Sequence, residues 1–404
     1  MNRGCLQPSD IGLGHQKLLT GRRIVVVLES LELGGAESQA VRLAERLVHQ
    51  YSAEVQVWGF ADEGRAARMC ESAGIPWRLV RPNWGDYRLA QWLNAAARFA
   101  YLLRKAHAEI LLPYCARSNV ICGLAWRLAG TKACIWNQRD EGRGLTPSSW
   151  ANQWAVKNTL TFVSNSQVGA EFLNRAFALP LERISIIHNG VELAPAVYDR
   201  VSWRKHLGVE PQTFLACMVA NIHSYKDHAT LLKAWKIVLR AMRSKNREAV
   251  LLLAGWLHPH ADTVKALASQ LNLLETVRFL GPVDDVTGLL LAVDLGVFSS
   301  KTEGCPNAIL EYMASGLPIV ATDILGVREA IGPTGLEYLA APDDTDSFAQ
   351  KILAIAERPS LASSLGKVYR ERIRADFSPD QMVAKMVAQI LKATDRRILC
   401  GPSG

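Results

Sequence analysis

Short apolar runs rich in β-branched residues recur along the whole chain. Stretches with the three-to-four-residue spacing of amphipathic helices lie between them. In the first half the runs are 23-RIVVVLES-30, 54-EVQVWGF-60, 76-PWRLV-80, 109-EILLPYC-115, 132-KACIWNQ-138, 160-LTFVSNS-166 and 184-ISIIHNG-190. In the second half they are 214-FLACMVAN-221, 249-AVLLLAG-255, 277-VRFLG-281, 295-LGVFSS-300, 318-PIVATD-323 and 336-LEYLA-340. Most are apolar throughout rather than alternating, as parallel strands covered on both faces must be. Segments such as 35-GAESQAVRLAERLVHQ-50 and 227–242 have helical length and pattern. The pattern predicts an α/β protein, and so many strands exceed one tidy sheet. The interruption at 188-HNGVELAP-195, an Asn-Gly followed by a proline, marks a domain break. The expected organisation is a tail over 1–21, one doubly wound domain over 22–192, a second over 193–376, and a closing amphipathic helix and tail over 377–404. Ligands of such sheets sit beyond the carboxyl ends of the strands, so the strand-end loops of the two domains are expected to face a cleft.

Composition narrows the class. The 404 residues are 49% apolar and 21% charged, the balance of an ordinary globular protein. No apolar run reaches the ~18 residues of a membrane span. The first twenty residues lack the continuous apolar segment of a signal peptide. Eight cysteines, at 5, 70, 115, 122, 134, 217, 305 and 400, form no C-x-x-C pair and mostly have apolar neighbours. They read as buried free thiols of a reducing compartment rather than as a disulfide framework. The net charge of +8 is uneven: residues 1–190 hold 22 Lys and Arg against 15 Asp and Glu. That half is suited to an anionic partner, a membrane surface or a phosphorylated substrate, although an Arg-rich solvated surface has the same composition. Neither zinc-finger nor RNA-binding signatures are present. H-E-x-x-H, G-x-S-x-G and Walker patterns are also missing, and no metal site is expected.

Four strand-end loops carry candidate chemistry. The stretch 303-EGCPNAILE-311 places Glu303 in a loop and Glu311 inside a helix, because Pro306 suits a first helical turn and disfavours helix before it. Gly304 shapes the turn, and the amides of Asn307, Ala308 and Ile309 at the helix start form an anion site. Two carboxylates around a phosphate position would accept hydroxyl hydrogen bonds on either side, as a nucleotide sugar offers them. Spacing alone fits a solvated loop acid and a surface helix residue as well. In 220-ANIHSYKDH-228, Lys226 precedes a helix that Asp227 can cap, a good position for a phosphate-binding cation or simply an exposed loop lysine. Gly34 and Gly35 in 31-LELGGAES-38 allow close backbone approach to a ligand after the first strand, or only a plain turn; the spacing is not G-x-G-x-x-G. The loop 137-NQRDEGRG-144 offers Arg139 among other charges.

Together these loops resemble the retaining GT-B glycosyltransferases of glycosyltransferase family four. The resemblance spans residues 23–394. It rests on 34-GGAE-37, 163-VSNS-166, 183-RISIIHNGVE-192, 219-VANIHSYKDH-228, 251-LLLAG-255, 277-VRFLG-281 and, most specifically, 299-SSKTEGCPNAILEYMASGLPIVATD-323. It implies two Rossmann-like domains, an acceptor-binding first and a nucleotide-sugar-binding second. Glu311 would hold the ribose hydroxyls and Glu303 the donor sugar. Lys226 and the amides after Gly304 would grip the diphosphate, and Gly35 would let the first domain approach donor and acceptor. The base would lie near Gly255 and 277–283. Two positions depart from the family's habit: Asn221 where an arginine is frequent, and Arg139 where many members have a histidine.

The resemblance further implies transfer of a sugar from a nucleotide-diphosphate donor, UDP- or GDP-linked, to a saccharide or lipid-linked acceptor. It implies retention of configuration and no metal or other cofactor. No carboxylate nominates itself as a nucleophile for double displacement, which favours same-face attack assisted by the leaving phosphate. A cytoplasmic enzyme of cell-envelope polysaccharide or glycolipid assembly is expected, with peripheral contact to an anionic inner membrane face through the basic half. A nucleotide-sugar epimerase and a non-catalytic nucleotide-sugar-binding protein share this architecture and are the alternatives. A two-lobed solute-binding protein would need an export signal.

Overall fold

The computed structural model describes residues 18–32, 34–81 and 89–395. Of the tail expected over 1–21, residues 1–17 lie outside the described part, and Leu19 is buried. The chain divides into two compact units, one running to Gly190 and resuming at Pro379, the other spanning Val191–Ser378.

The first unit holds β1 (Arg23–Leu31), α1 (Gly35–Tyr51), β2 (Glu54–Glu63), α2 (Arg65–Ser72), β3 (Trp77–Leu79), α3 (Leu89–Lys105), β4 (Ile110–Pro113), α4 (Ala116–Ala129), β5 (Ala133–Gln138), α5 (Trp150–Asn158), β6 (Thr161–Ser164), α6 (Gln167–Phe177) and β7 (Ile184–Ile186). Its seven strands form one parallel sheet in the order β3-β2-β1-β4-β5-β6-β7. The continuous apolar run of β1 is explained by its central place. Ile24, Val26 and Leu28 enter the core beneath α1 and α2, while Val25 and Val27 enter the core beneath α3 to α6. This is the two-residue period of a strand buried on both sides.

The second unit holds α7 (Arg200–His206), β8 (Phe214–Val219), α8 (His228–Arg243), β9 (Ala249–Ala254), α9 (Ala261–Gln270), β10 (Val277–Gly281), α10 (Val286–Ala292), β11 (Leu295–Phe298), α11 (Asn307–Ser315), β12 (Ile319–Thr322), α12 (Leu325–Ile331), β13 (Leu339–Ala340), α13 (Thr345–Ala356) and α14 (Pro359–Asp376). Its parallel sheet has the order β10-β9-β8-β11-β12-β13. The run expected as a strand over 336–340 is mostly a 3-10 turn, Pro333–Tyr338, and only its last two residues pair. Pro333 and Gly335 favour that tighter turn over an extended start.

The terminal helix α15 (Pro379–Thr394) belongs to the first unit. Its buried stripe of Met382, Val383, Met386, Val387 and Ile390 joins the core of α1, α2 and β1. Gly190 is where the chain must let it in: a Cβ there would stand 2.6 Å from the Cα of Pro379. Both sheets are thus α/β layers, and in each the strand order reverses once, between β1 and β4 and between β8 and β11. Those reversals are where open parallel sheets hold ligands.

Candidate active site

In the second unit the reversal is furnished by the loops after β8 and β11. Lys226 comes from the first and Glu303 from the second. Their side chains form an ion pair, with only 11% and 10% of each exposed. Ser300 donates its hydroxyl to the same Glu303 oxygen at 2.8 Å. The Lys226 ammonium also stands 4.4 Å from the centre of the Phe298 ring and 5.5 Å from that of Tyr225, so cation–π attraction adds to the pairing. The two loops are stitched by backbone bonds: Lys301 N–H to Tyr225 O at 2.9 Å and Asp227 N–H to Ser299 O at 3.3 Å. Asp227 caps α8 through Thr230 N–H, as its position before the helix implies.

Glu303 therefore lies in the loop, as Pro306 dictates, but it is buried and paired rather than solvated. Pro306 is the N-cap of α11, and the first helical backbone bond runs from Leu310 N–H to Pro306 O. The amides of Asn307, Ala308 and Ile309 accordingly precede the helical ladder at its positive end. The side chains of Ala308 and Ile309 are buried, so these two residues can meet a ligand only through the backbone. Glu311 sits in the second turn, half-buried.

The remaining candidates of this unit play bracing roles. Asn221 accepts Trp256 N–H through Oδ1 at 3.1 Å, which fixes the loop after β8 to the loop after β9 and leaves Nδ2 as a donor. Gly255 has φ +152°, and a Cβ there would lie 2.2 Å from Ala220 O. Its amide donates to Gly281 O at 2.8 Å. Gly255 is thus required by close approach of backbone to backbone.

Two supports escaped sequence reasoning. Gly326, in α12, admits the backbone of 303–304: a Cβ would meet Gly304 O at 2.2 Å and Glu303 O at 2.3 Å. Tyr312, buried in α11, accepts Val219 N–H at 2.6 Å and so ties α11 to the end of β8. The sequence held a faint signal for both, a Gly placed early in a short helix and an aromatic one residue after Glu311.

In the first unit the reversal is furnished by β1 and β4. Gly34 is the N-cap of α1 and Gly35 its first residue. A Cβ on Gly34 would meet the Glu37 carboxylate at 2.4 Å. Glu37, the third residue of α1, folds back onto the cap as in a capping box. Burial pushes its carboxyl up to about 7, against hydrogen bonds from its own amide and from that of Gly34. Arg139, at the end of β5, lies over the Tyr114 ring with its carbon 5.0 Å from the centre and donates to Asn189. Its carbonyl accepts Asn165 Nδ2–H at 3.2 Å. Asp140 is a turn brace, accepting the amides of Gly142 at 2.8 Å and Arg143 at 3.1 Å. Among the described residues no group of three metal-ligating side chains exists.

A family model described as Glycosyltransferase Family 4 matches residues 33–194, and one described as Glycosyl transferases group 1 matches residues 213–358. One falls on each unit. The chain belongs to glycosyltransferase family four. Among curated relatives of this family-four glycosyltransferase, N-acetyl-alpha-D-glucosaminyl L-malate synthase of Bacillus anthracis is 25% identical over 340 residues, 78% of this chain and 86% of the relative. The UDP-Gal:alpha-D-GlcNAc-diphosphoundecaprenol alpha-1,3-galactosyltransferase of Escherichia coli is 24% identical over 295 residues, 70% of this chain and 76% of the relative. Anabaena HepE, solved with UDP and glucose, superposes with a TM-score of 0.78 at 19% identity, covering 91% of this chain and 99% of that one. The fold is GT-B, and the enzyme is a nucleotide-sugar glycosyltransferase.

Proposed function

We propose that the loops after β8 and β11 bind the nucleotide-sugar donor, and that the first unit receives a saccharide or lipid-linked acceptor. The observation that carries this reading is the Lys226–Glu303 pair at the strand reversal, beside the N-terminus of α11. An incoming diphosphate satisfies the Lys226 ammonium and the α11 amides, and Glu303 is released to accept hydroxyls of the donor sugar. Glu311, a turn further along α11, accepts the ribose hydroxyls. Gly34 and Gly35 offer backbone to the acceptor, and Arg139 supplies a cation for an anionic acceptor or for charge that develops in the transfer. Arg139 is no base, so the acceptor proton needs another destination.

In the reaction we propose, the bond from the anomeric carbon to the diphosphate oxygen breaks as the acceptor hydroxyl attacks from the same face. The acceptor proton passes to the leaving phosphate oxygen, which yields a glycoside with retained configuration and a nucleoside diphosphate. Lys226 and the α11 amides stabilise the departing charge, work that oriented donors do in a low-dielectric site; on this reading no metal or cofactor is required. The two curated relatives named above act on a small anionic acceptor and a lipid diphosphate, according to their names. A UDP- or GDP-sugar, used in cell-envelope polysaccharide or glycolipid assembly on the cytoplasmic side, is the reading these support. Among the described residues no helix is long and apolar enough to cross a membrane, and peripheral contact through the basic first half is part of the same proposal.

A panel of UDP-, GDP- and ADP-sugars scored by thermal stabilisation tests it. One of them at a hundred times its Kd is expected to add about 2.7 kcal/mol. No response to any of them would refute the assignment. Turnover of donor without an acceptor would mark an epimerase instead.

A further inference from the structure

The helical layer formed by α3, α4 and α5 covers one side of the first sheet, and α4 packs against both its neighbours. These three helices contain no aspartate or glutamate. They carry Arg98, Arg104, Lys105, Arg127 and Lys157, all exposed; Arg117, also exposed, starts α4 beside the Glu29 carboxylate, which accepts its amide at 2.6 Å. Large apolar side chains stand among these cations: Leu93 is 48% exposed, Tyr101 61%, Leu128 54% and Trp154 58%. On α3 the exposed positions 90, 93, 94, 97, 98, 101, 104 and 105 recur at helical spacing, so they make one continuous strip along the helix.

Helix polarity accounts for Arg104, Lys105, Arg127 and Lys157, which lie in last turns. It accounts neither for the absence of acids through three successive helices nor for aromatic rings left in water. At the nearby strand start, Glu109 is held by Lys132 and by Arg22 at 3.8 Å, so it does not offset the field of the layer.

We infer that the outer side of α3, α4 and α5 is the surface by which this enzyme lies on an anionic lipid bilayer. Cations attract the headgroup layer, Tyr101 and Trp154 suit the boundary between headgroup and acyl chain, and the stems of Arg and Lys lie along it. A protein partner of ordinary composition would leave so many like charges unmatched, whereas an anionic leaflet matches them all. This localises the membrane contact proposed above to one layer, and it does not depend on the donor site of the second unit.

The test is flotation of the full chain with vesicles of phosphatidylcholine plus phosphatidylglycerol, against vesicles of phosphatidylcholine alone. The protein is expected on the anionic vesicles and to leave them as salt is raised. Each cation near the surface contributes roughly fivefold, so Arg98→Glu, Arg104→Glu and Lys105→Glu together are expected to lower partitioning at least about a hundredfold. Tyr101→Ala with Trp154→Ala is expected to weaken binding and leave its salt dependence intact. Nucleotide-sugar binding, measured by calorimetry on the same variants, stays as in the parent. Absence of the parent protein from anionic vesicles overturns the inference, as does equal partitioning of the charge-reversed protein. A parent that self-associates through this layer, with dimers lost in the charge-reversed variant, also overturns it. Loss of donor binding in the parent would count against the transferase site alone and leave the vesicle result standing.

Discussion

Lys226 and Glu303, 77 positions apart, meet as a buried ion pair across the strand reversal of the second sheet. The fold makes the pair: β8 and β11 are neighbours although β9 and β10 intervene in sequence, and each strand delivers one partner at its carboxyl end. In the proposed site the pair holds a phosphate-binding cation and a sugar-binding acid in place until a donor separates them.

The pair gives a test that distinguishes catalysis from packing. Lys226→Ala and Glu303→Ala are each expected to lower kcat by about 10²–10³. Each also leaves a lone buried charge, which costs a few kcal/mol of stability. The double variant Lys226→Ala with Glu303→Ala is expected to recover much of that stability and none of the activity. Chemical denaturation and initial rates on the four proteins check it. Recovery of activity along with stability would mean the pair is only structural.

Gly255 supplies a second prediction. Its φ of +152° and its approach to Ala220 O leave no room for a methyl group. Gly255→Ala is expected to cost about 1–3 kcal/mol. Because the loop after β8 must move to relieve the clash, weaker nucleotide binding is expected beside a lower Tm. An unchanged Tm would show that the close approach carries no weight.

Much of this architecture was legible in the chain. Runs such as 249-AVLLLAG-255 are apolar on both faces because β9 is interior, and that pattern can be read without coordinates. Asp227 before α8 and Pro306 before α11 announced their helix starts through their own backbone chemistry. The meeting of Lys226 with Glu303 was not legible from spacing, because it depends on strand order. Nor was the docking of α15: the stripe from Met382 to Ile390 predicts an amphipathic helix, but not the core of α1 and β1 that it enters. Gly326 is a related case. Its need arises only when the backbone of another loop is set against it.

Glu37 sets a pH dependence in the first unit. Its folded carboxyl titrates at about 7 because burial raises it from its usual 4.5. The folded state therefore binds the proton more tightly than the unfolded chain, and the associated stability is present at acid pH and lost as pH rises from about 4.5 to about 7. Glu37→Gln keeps the capping geometry. It is expected to flatten this slope and to be more stable than the parent above neutrality by about 3 kcal/mol. Denaturant melts across pH check it, and parallel curves for the two proteins would contradict it.

His228 has the opposite sign. Burial at the start of α8 holds its imidazole down to about 4 from its usual 6.5. Its contribution is complete above 6.5 and is lost as pH falls through about 4. A His228→Asn variant is expected to lose less stability than the parent between these two values. Identical acid limbs for the two proteins would contradict this.

Glu311 gives the most direct test of the donor site. The measurement is a calorimetric titration of the responding nucleotide sugar into the parent and into Glu311→Ala. Loss of charge-assisted hydrogen bonds to ribose predicts a Kd raised at least about tenfold, with little change in Tm because Glu311 is only half-buried. Equal affinity in both proteins would contradict the assignment of the nucleotide to α11.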